Sequence, residues 1–172
     1  FTGVEKVPSP VLLVYPERIA QNILKMIKIA GNANKLMPHV KTHKMEAVIK
    51  LQLEKGISKF KCATIAEAEM VAQAGAEQVL LAYPLVGFNA ERFLQLNLKY
   101  TNISFLTLVD SVDGATKIAE LFSTHNKIAL VLIDVNVGMN RTGISLSQLP
   151  TFYNEIKGLK GVAIEGFHAY DG

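Results

Sequence analysis

Short apolar runs alternate with amphipathic stretches along the whole chain. Seven of these runs predict β-strands, at residues 11–15, 36–40, 58–62, 78–82, 102–108, 128–134 and 162–168. Their interiors are nearly continuous hydrophobic stretches, such as I-A-L-V-L-I and Q-V-L-L-A. Such stretches are typical of strands that are covered on both faces, as they are in parallel sheets.

The segments between these strands carry the start and stop signals of helices. Pro16 begins a pattern in which isoleucine recurs every fourth residue, and Gly31 follows its end. Thr64 and Glu67 have the spacing of a capping box, in which both side chains accept backbone N–H groups at a helix start. A further apolar stripe begins after Ser111. The chain therefore consists of repeated βα units.

Repeated βα units form either an open doubly wound sheet or a closed TIM-type (β/α)8 barrel. Polar residues follow almost every predicted strand: Lys41, His43, Thr64, Tyr83, Asp110, Asn136, Arg141, His168, Tyr170 and Asp171. An open sheet concentrates such groups at one switch point, so their spread favours a barrel. A complete barrel takes about 250 residues, whereas this chain has 172. We therefore expect an α/β barrel that is incomplete.

Composition excludes several classes of protein. The chain is 49% hydrophobic and 19% charged, which is too apolar for a disordered protein. No apolar run approaches the roughly 18 residues of a membrane span, and a net charge of +3 is too small to indicate a nucleic-acid surface. The single cysteine, Cys62, fits a reducing compartment and predicts a cytoplasmic protein. Because the chain begins at Phe1 and ends at Gly172, directly after a predicted strand, we expect both ends to be cut.

The sharpest local feature is the segment P-H-V-K-T-H-K at residues 38–44. A lysine that leaves a buried strand for a partly desolvated opening has a lowered amine pKa, which favours Schiff-base chemistry with a carbonyl. Lys41 is the candidate; the alternative is a basic residue on a solvated loop. His39 and His43 have the spacing of a metal-binding pair, but that spacing converges only on a helix, and Pro38 argues against one.

A second segment, V-N-V-G-M-N-R-T-G-I at residues 135–144, has glycines on both sides of Arg141. Glycine lets backbone approach a ligand closely, and a guanidinium is a permanently charged donor. The segment matches neither the Walker phosphate loop nor the dinucleotide-binding fingerprint. The alternative is a turn that carries a surface arginine. Cys62 lies within a predicted strand, so we expect a buried and unreactive thiol.

Four segments together resemble a known family in their order and approximate spacing: P-H-V-K-T-H-K, C-A-T-I-A-E-A-E-M with L-L-A-Y-P, V-G-M-N-R-T-G-I and G-F-H-A-Y-D-G. The chain is similar to the N-terminal part of the D-threonine aldolase and D-serine dehydratase family, which are pyridoxal phosphate (PLP) enzymes of the alanine-racemase-like fold type III. The resemblance implies that residues 16–172 form about six strands of the barrel. It also implies that residues 1–15 hold a strand that pairs with a C-terminal β-domain outside this chain.

The resemblance implies a role for each candidate side chain. Lys41 resembles the catalytic lysine that holds PLP, and Arg141 resembles the arginine that faces the pyridine nitrogen and keeps it unprotonated. Tyr170 and His168 resemble catalytic residues at the opening of the barrel, where Tyr170 also lines the cofactor. Two more residues occupy positions that contact PLP: Thr64 and Tyr83. A divalent metal (Mn, Mg or Zn) is implied for the full-length enzyme, with ligands outside this chain.

The implied function is a PLP-dependent lyase that acts on D-β-hydroxy amino acids, by retro-aldol cleavage or by β-elimination. Three alternatives stay open: an amino-acid racemase, a non-catalytic PLP carrier, and a barrel in which Lys41 is a Schiff-base aldolase without PLP. The expected partners are a D-amino acid substrate and a second copy in a homodimer, with no nucleic acid and no membrane. An incomplete barrel has an open edge, so we expect these residues alone to self-associate and to be inactive.

Overall fold

The computed structural model describes residues 2–172, and within them it places six α-helices and five β-strands. The helices are α1 (Pro16–Ala30), α2 (Glu46–Leu53), α3 (Ile65–Gln73), α4 (Asn89–Lys99), α5 (Val112–Thr124) and α6 (Leu149–Ile156). The strands are β1 (Lys59–Cys62), β2 (Gln78–Pro84), β3 (Ser104–Val109), β4 (Ala129–Val135) and β5 (Val162–Ala169). Helices and strands alternate from α2 onward, as the sequence predicts.

The order of the strands identifies the fold. All five are parallel and lie in the order β1-β2-β3-β4-β5, so each strand pairs with the one that precedes it in the chain. A doubly wound sheet instead reverses its order at a switch point. The order therefore confirms the predicted α/β barrel arrangement, present here as a partial barrel.

The two faces of the sheet have different cores. One face packs against the helices. The largest side chains buried between them, at most 1% exposed, are Phe60 and Phe105 from the strands and Phe93 and Phe122 from the helices. The opposite face looks into the partial barrel and carries a small separate cluster of Leu80, Leu106 and Leu108. We call these the helix-facing core and the inward face. Side chains of the helix-facing core and of the inward face alternate along each strand, because successive side chains of a strand point to opposite sides.

The helix starts that the sequence predicts are confirmed. Helix α1 begins at Pro16, and Gly31 ends it with a left-handed backbone (φ 80°). At α3 the Thr64 hydroxyl accepts a hydrogen bond from Glu67 N at 3.1 Å, while the Glu67 carboxylate accepts from Ala63 N at 2.8 Å. Within residues 2–172 we find no helix long and apolar enough to cross a membrane.

Two of the seven predicted strands are not strands in this structure. Residues 36–40 make only one bridge, between His39 and Lys61, so the partial barrel has five strands rather than six. Pro38 accepts a hydrogen bond from Lys61 N at 2.9 Å but has no N–H of its own, and a 3-10 turn begins at Val40. Residues 11–15 lie in no regular element and are exposed, and their pairing with another domain stays a prediction.

Candidate cofactor site

A cavity of about 170 Å³ opens at the carboxyl ends of the strands. It brings together five of the six predicted site residues: Lys41, Tyr83, Arg141, His168 and Tyr170. In parallel α/β folds ligands bind at this end of the strands. The cavity also contains His39 and a residue that the sequence did not indicate, Lys61.

Thr64 lies outside this cavity. Its hydroxyl is engaged at the start of α3, where it accepts from Glu67 N. It lines a neighbouring cavity of about 250 Å³, with Tyr83 between the two. In this structure Thr64 therefore caps a helix, and its contact with a cofactor stays a prediction.

Lys41 is positioned by the irregular backbone that follows Pro38. It lies in the 3-10 turn Val40–Thr42, and its backbone N–H donates to His39 Nδ1 at 3.2 Å. Its side chain is exposed. Beyond the turn, the Lys44 ammonium pairs with the buried Glu67 carboxylate, which ties this loop to the start of α3.

Lys61 enters the cavity from the inward face of β1. Its Nζ lies 2.7 Å from Nε2 of His168, and the ammonium is half-buried. Burial lowers the pKa of Lys61 below its usual value, and the charges of Lys41 and Arg141 lower it further against the opposing effect of Asp134. Lys61 is therefore a second lysine of the cavity, one that the sequence did not single out, and its amine pKa is lowered.

His168 is held from its other side by Asp134. The two residues are directly paired in the register of β4 and β5, and His168 Nδ1 lies 2.7 Å from Asp134 Oδ1. Asp134 is only 3% exposed, and its second oxygen accepts from the Thr142 hydroxyl at 2.8 Å. A buried carboxylate that makes two hydrogen bonds holds its partners in a fixed geometry.

The loop that carries Arg141 is fixed at both ends. Asn136 Oδ1 accepts from the backbone N–H groups of Gly138 and Asn140, each at 3.1 Å. At the far end, Gly143 N donates to Asp110 Oδ2 at 3.1 Å. Gly143 has a φ of +92°, and a Cβ there would lie 2.8 Å from Asn136 N, so only glycine fits.

The ring of Tyr170 lies close to two basic side chains. The Arg141 guanidinium carbon is 5.4 Å from the ring centroid, and Lys61 Nζ is 5.7 Å from it. Both distances are within the range of a cation–π attraction. Tyr170 thereby connects the glycine-flanked loop to β1 across the cavity.

The two histidines near Lys41 are each engaged through Nδ1 by a backbone N–H group. His39 Nδ1 accepts from Lys41 N, and His43 Nδ1 accepts from Met45 N at 3.1 Å. Burial, with Lys41 and Lys61 nearby, lowers the pKa of His39 to about 4, and burial also lowers the pKa of His43. Across residues 2–172, no group of three or more His, Cys, Asp or Glu side chains is placed to hold a metal ion.

Cys62 is buried, as predicted, and takes no part in the cavity. Its Sγ lies 3.5 Å from the carbonyl oxygen of Leu80. Burial and the nearby Glu67 carboxylate raise the thiol pKa to about 12. The thiolate, which is the nucleophilic form, is therefore strongly disfavoured.

Comparison with curated proteins gives two relatives of similar identity. D-threo-3-hydroxyaspartate dehydratase from Delftia sp. (strain HT23) is 27% identical over 143 residues, which are 83% of this chain and 37% of that protein. D-threonine aldolase from Arthrobacter sp. is 27% identical over 138 residues, which are 80% of this chain and 36% of that protein. This chain therefore spans less than half the length of the curated relatives it matches.

Solved structures and a family comparison agree with these relatives. The crystal structure of D-threonine aldolase from Filomicrobium marinum has a TM-score of 0.88 at 26% identity, covering 98% of this chain and 46% of that one. A mutant D-threo-3-hydroxyaspartate dehydratase in a metal-free form has a TM-score of 0.73 at 26% identity, covering 92% and 43%. The family described as alanine racemase, N-terminal domain, matches residues 14–172. The chain therefore belongs to the alanine racemase N-terminal domain family.

Proposed function

We propose that the full protein is a PLP-dependent lyase that acts on D-configured β-hydroxy amino acids. The observation that carries this proposal is the meeting of Lys41 and Arg141, which are 100 positions apart, in one cavity at the strand ends. The curated relatives, a D-threo-3-hydroxyaspartate dehydratase and a D-threonine aldolase, support the substrate class. The proposed reaction is either β-elimination or retro-aldol cleavage.

The chemistry of the cavity fits PLP. Lys41 offers a primary amine for the cofactor aldehyde, and Lys61 and Arg141 offer positive charge to an anionic ligand. Tyr170 offers an aromatic ring at the opening. When bound, PLP supplies an electron sink that stabilises negative charge at the substrate Cα.

Each residue of the cavity has a proposed task. Lys41 holds the cofactor through Nζ and, once released, carries the proton that leaves Cα in the elimination. Arg141 places a permanent cation against the cofactor ring, because a guanidinium keeps its proton at all physiological pH values. Tyr83 and Tyr170 bound the cavity and limit the access of water to the reacting atoms. His168 is oriented for catalysis by its bond to Asp134.

A divalent metal is part of the proposal for the full protein. A metal-free form of a mutant relative dehydratase has been solved. A β-hydroxyl is a poor leaving group, and a Lewis acid that contacts its oxygen assists both its departure and its deprotonation. We propose that the ligands of this metal lie outside residues 1–172.

A spectroscopic and kinetic experiment tests this function. Full protein mixed with PLP is expected to show a visible absorption band that Lys41→Ala abolishes and that Lys25→Ala, on the exposed side of α1, leaves unchanged. The loaded enzyme is then given D-threonine and D-threo-3-hydroxyaspartate, with the L-enantiomers as controls. Release of an aldehyde and glycine indicates the aldolase, and release of an oxo acid and ammonia indicates the dehydratase. No band, or no turnover of any D-β-hydroxy amino acid with metal present, would overturn the proposal.

A further inference from the structure

Three side chains from three strands form a continuous hydrogen-bonded chain in the cavity. Lys61 Nζ on β1 lies 2.7 Å from His168 Nε2 on β5, and His168 Nδ1 lies 2.7 Å from Asp134 Oδ1 on β4. The first and last strands of the sheet are thus joined through an imidazole. One end of this series of hydrogen bonds is the buried Asp134 carboxylate, and the other end is the Lys61 amine in the cavity.

The hydrogen bonds determine where the protons lie. A carboxylate only accepts, so His168 must donate to Asp134 from Nδ1. In the neutral imidazole Nε2 then has a free lone pair, which accepts an N–H from Lys61. This leaves two further N–H groups on the Lys61 ammonium, beside the cavity that Lys41 and Arg141 also line.

We propose that Lys61, His168 and Asp134 form a proton relay in which Lys61 Nζ exchanges a proton with the bound substrate. The proposal rests on the proposed function for the identity of that substrate, a D-amino acid. The relay itself is a property of this chain and exists whether or not a cofactor is bound. Lys61 is the catalytic end, and His168 and Asp134 are positioning residues.

The proton movements balance without a further reactant. One N–H bond of the Lys61 ammonium breaks as an N–H bond forms at His168 Nε2, and the electron pair stays on Nζ. His168 is then an imidazolium, which the Asp134 carboxylate stabilises through Nδ1. The neutral Lys61 amine accepts the proton of the substrate hydroxyl group, whose bonding pair remains on the hydroxyl oxygen.

Burial and the charges of Lys41 and Arg141 lower the pKa of Lys61, against the opposing effect of Asp134. The titratable and charged groups that face Lys61 around the cavity are Lys41, Arg141, His39, His168, Asp134, Tyr83 and Tyr170. Two of these are cations that repel the ammonium, and Asp134 is the one carboxylate among them. Passing the proton to His168 moves positive charge away from Lys41 and Arg141 and toward that carboxylate.

The variant Lys61→Arg distinguishes a proton relay from a hydrogen bond that transfers no proton. Arginine can keep the hydrogen bond to His168 and the positive charge, but it does not release its proton. In the PLP-loaded full protein we expect Lys61→Arg and Lys61→Met each to lower kcat by about 100-fold, the usual contribution of acid–base catalysis. Lys59→Arg is the matched control, since it lies on the same strand and face, and we expect wild-type kcat. Wild-type kcat in Lys61→Arg would overturn the relay.

Nuclear magnetic resonance of the cofactor-free full protein gives a second test that does not depend on activity. With labelled lysine and histidine, we expect Lys61 Cε and His168 Nε2 to shift with one common midpoint as the pH rises. Asp134→Asn removes the charge that favours the Lys61 ammonium, so it should move this midpoint to lower pH. Separate midpoints, or no movement in Asp134→Asn, would contradict the relay. A shared midpoint in a protein that fails to bind PLP would leave the relay standing while the proposed function falls.

Discussion

The two faces of the sheet differ in chemistry although they are built from the same strands. The helix-facing core is mostly apolar, with Phe60, Phe93 and Phe122 fully buried. The inward face has a smaller apolar cluster centred on three leucines and changes at the strand ends to Lys61, Asp134 and His168. The helix-facing core therefore stabilises the fold by holding the sheet to its helices, whereas the inward face positions charged groups at an opening.

A substitution in the helix-facing core is expected to have the largest effect on stability. Phe93 is fully buried and packs edge-on against Phe105, with ring centroids 6.3 Å apart. Phe93→Ala leaves a cavity and should lower the free energy of unfolding by about 3–5 kcal/mol. Phe88→Ala is the matched control at the start of α4, where the side chain is 75% exposed and a change below about 0.5 kcal/mol is expected. Urea unfolding of both variants gives the comparison, and equal losses would contradict this assignment of the core.

The glycine-flanked loop at the inward face allows a second comparison between matched residues. Gly143 and Gly138 both have positive φ values, +92° and +129°. A Cβ on Gly143 would meet Asn136 N at 2.8 Å, whereas nothing lies within 4 Å of a Cβ on Gly138. Gly143→Ala therefore adds a clash to the backbone strain, which by itself costs about 1–3 kcal/mol.

Thermal unfolding and the PLP absorption band of the full protein are measured for both glycine variants. We expect Gly143→Ala to lose more stability than Gly138→Ala and to weaken PLP binding, because it displaces the turn that leads from Arg141. If Gly138→Ala weakens PLP binding as much as Gly143→Ala does, the close backbone contact at Gly143 is not what holds the loop.

The third prediction concerns the ion pair between the Lys44 ammonium and the buried Glu67 carboxylate. The Glu67 side chain is 5% exposed and bonds both Lys44 and Ala63 N. Burial raises the pKa of Glu67, but these two hydrogen bonds outweigh it, so the pKa lies below its usual value of 4.5. Such a carboxylate stabilises the fold above the pKa of the unfolded chain, and this contribution is lost as the pH falls through the folded-state pKa.

Glu67→Gln should therefore lower the free energy of unfolding by about 1–3 kcal/mol at pH 7. The difference from wild type should shrink as the pH falls below about 4.5. Glu46→Gln removes an exposed pair with Lys50 and should change stability by less than about 0.5 kcal/mol. A Glu67→Gln difference that stays constant from pH 7 to pH 3 would show that the charge of Glu67 does not stabilise the fold.

Local signals in the sequence predicted the helix-facing side of the fold well. Pro16, Gly31 and the Thr64–Glu67 spacing act within a few residues, so their effects follow from sequence alone. The strand at residues 36–40 was predicted from its apolar residues, but Pro38 supplies no N–H and the pairing stops at one bridge. The missing N–H of Pro38 therefore accounts for the absence of a strand at residues 36–40.

The inward face could be predicted only in part. Lys41 and Arg141 stand in distinctive segments, and both were expected at the strand ends. Lys61 carries no such signal, because it is one lysine in a short strand and its partner His168 is 107 positions away. Asp134 lies one residue before the end of the otherwise apolar strand β4 and carries no such signal either. The register of β4 and β5 pairs Asp134 with His168, and only the three-dimensional structure shows that Lys61 meets them.

The most direct test of the central claim is to identify the lysine that holds PLP. The full protein is loaded with PLP and treated with borohydride, which fixes the cofactor to its lysine, and the labelled peptide is identified by mass spectrometry. We predict that the label is on Lys41, in P-H-V-K-T-H-K, while Lys61 stays free for proton transfer. A label on Lys61, or on no lysine of the cavity, would contradict the account.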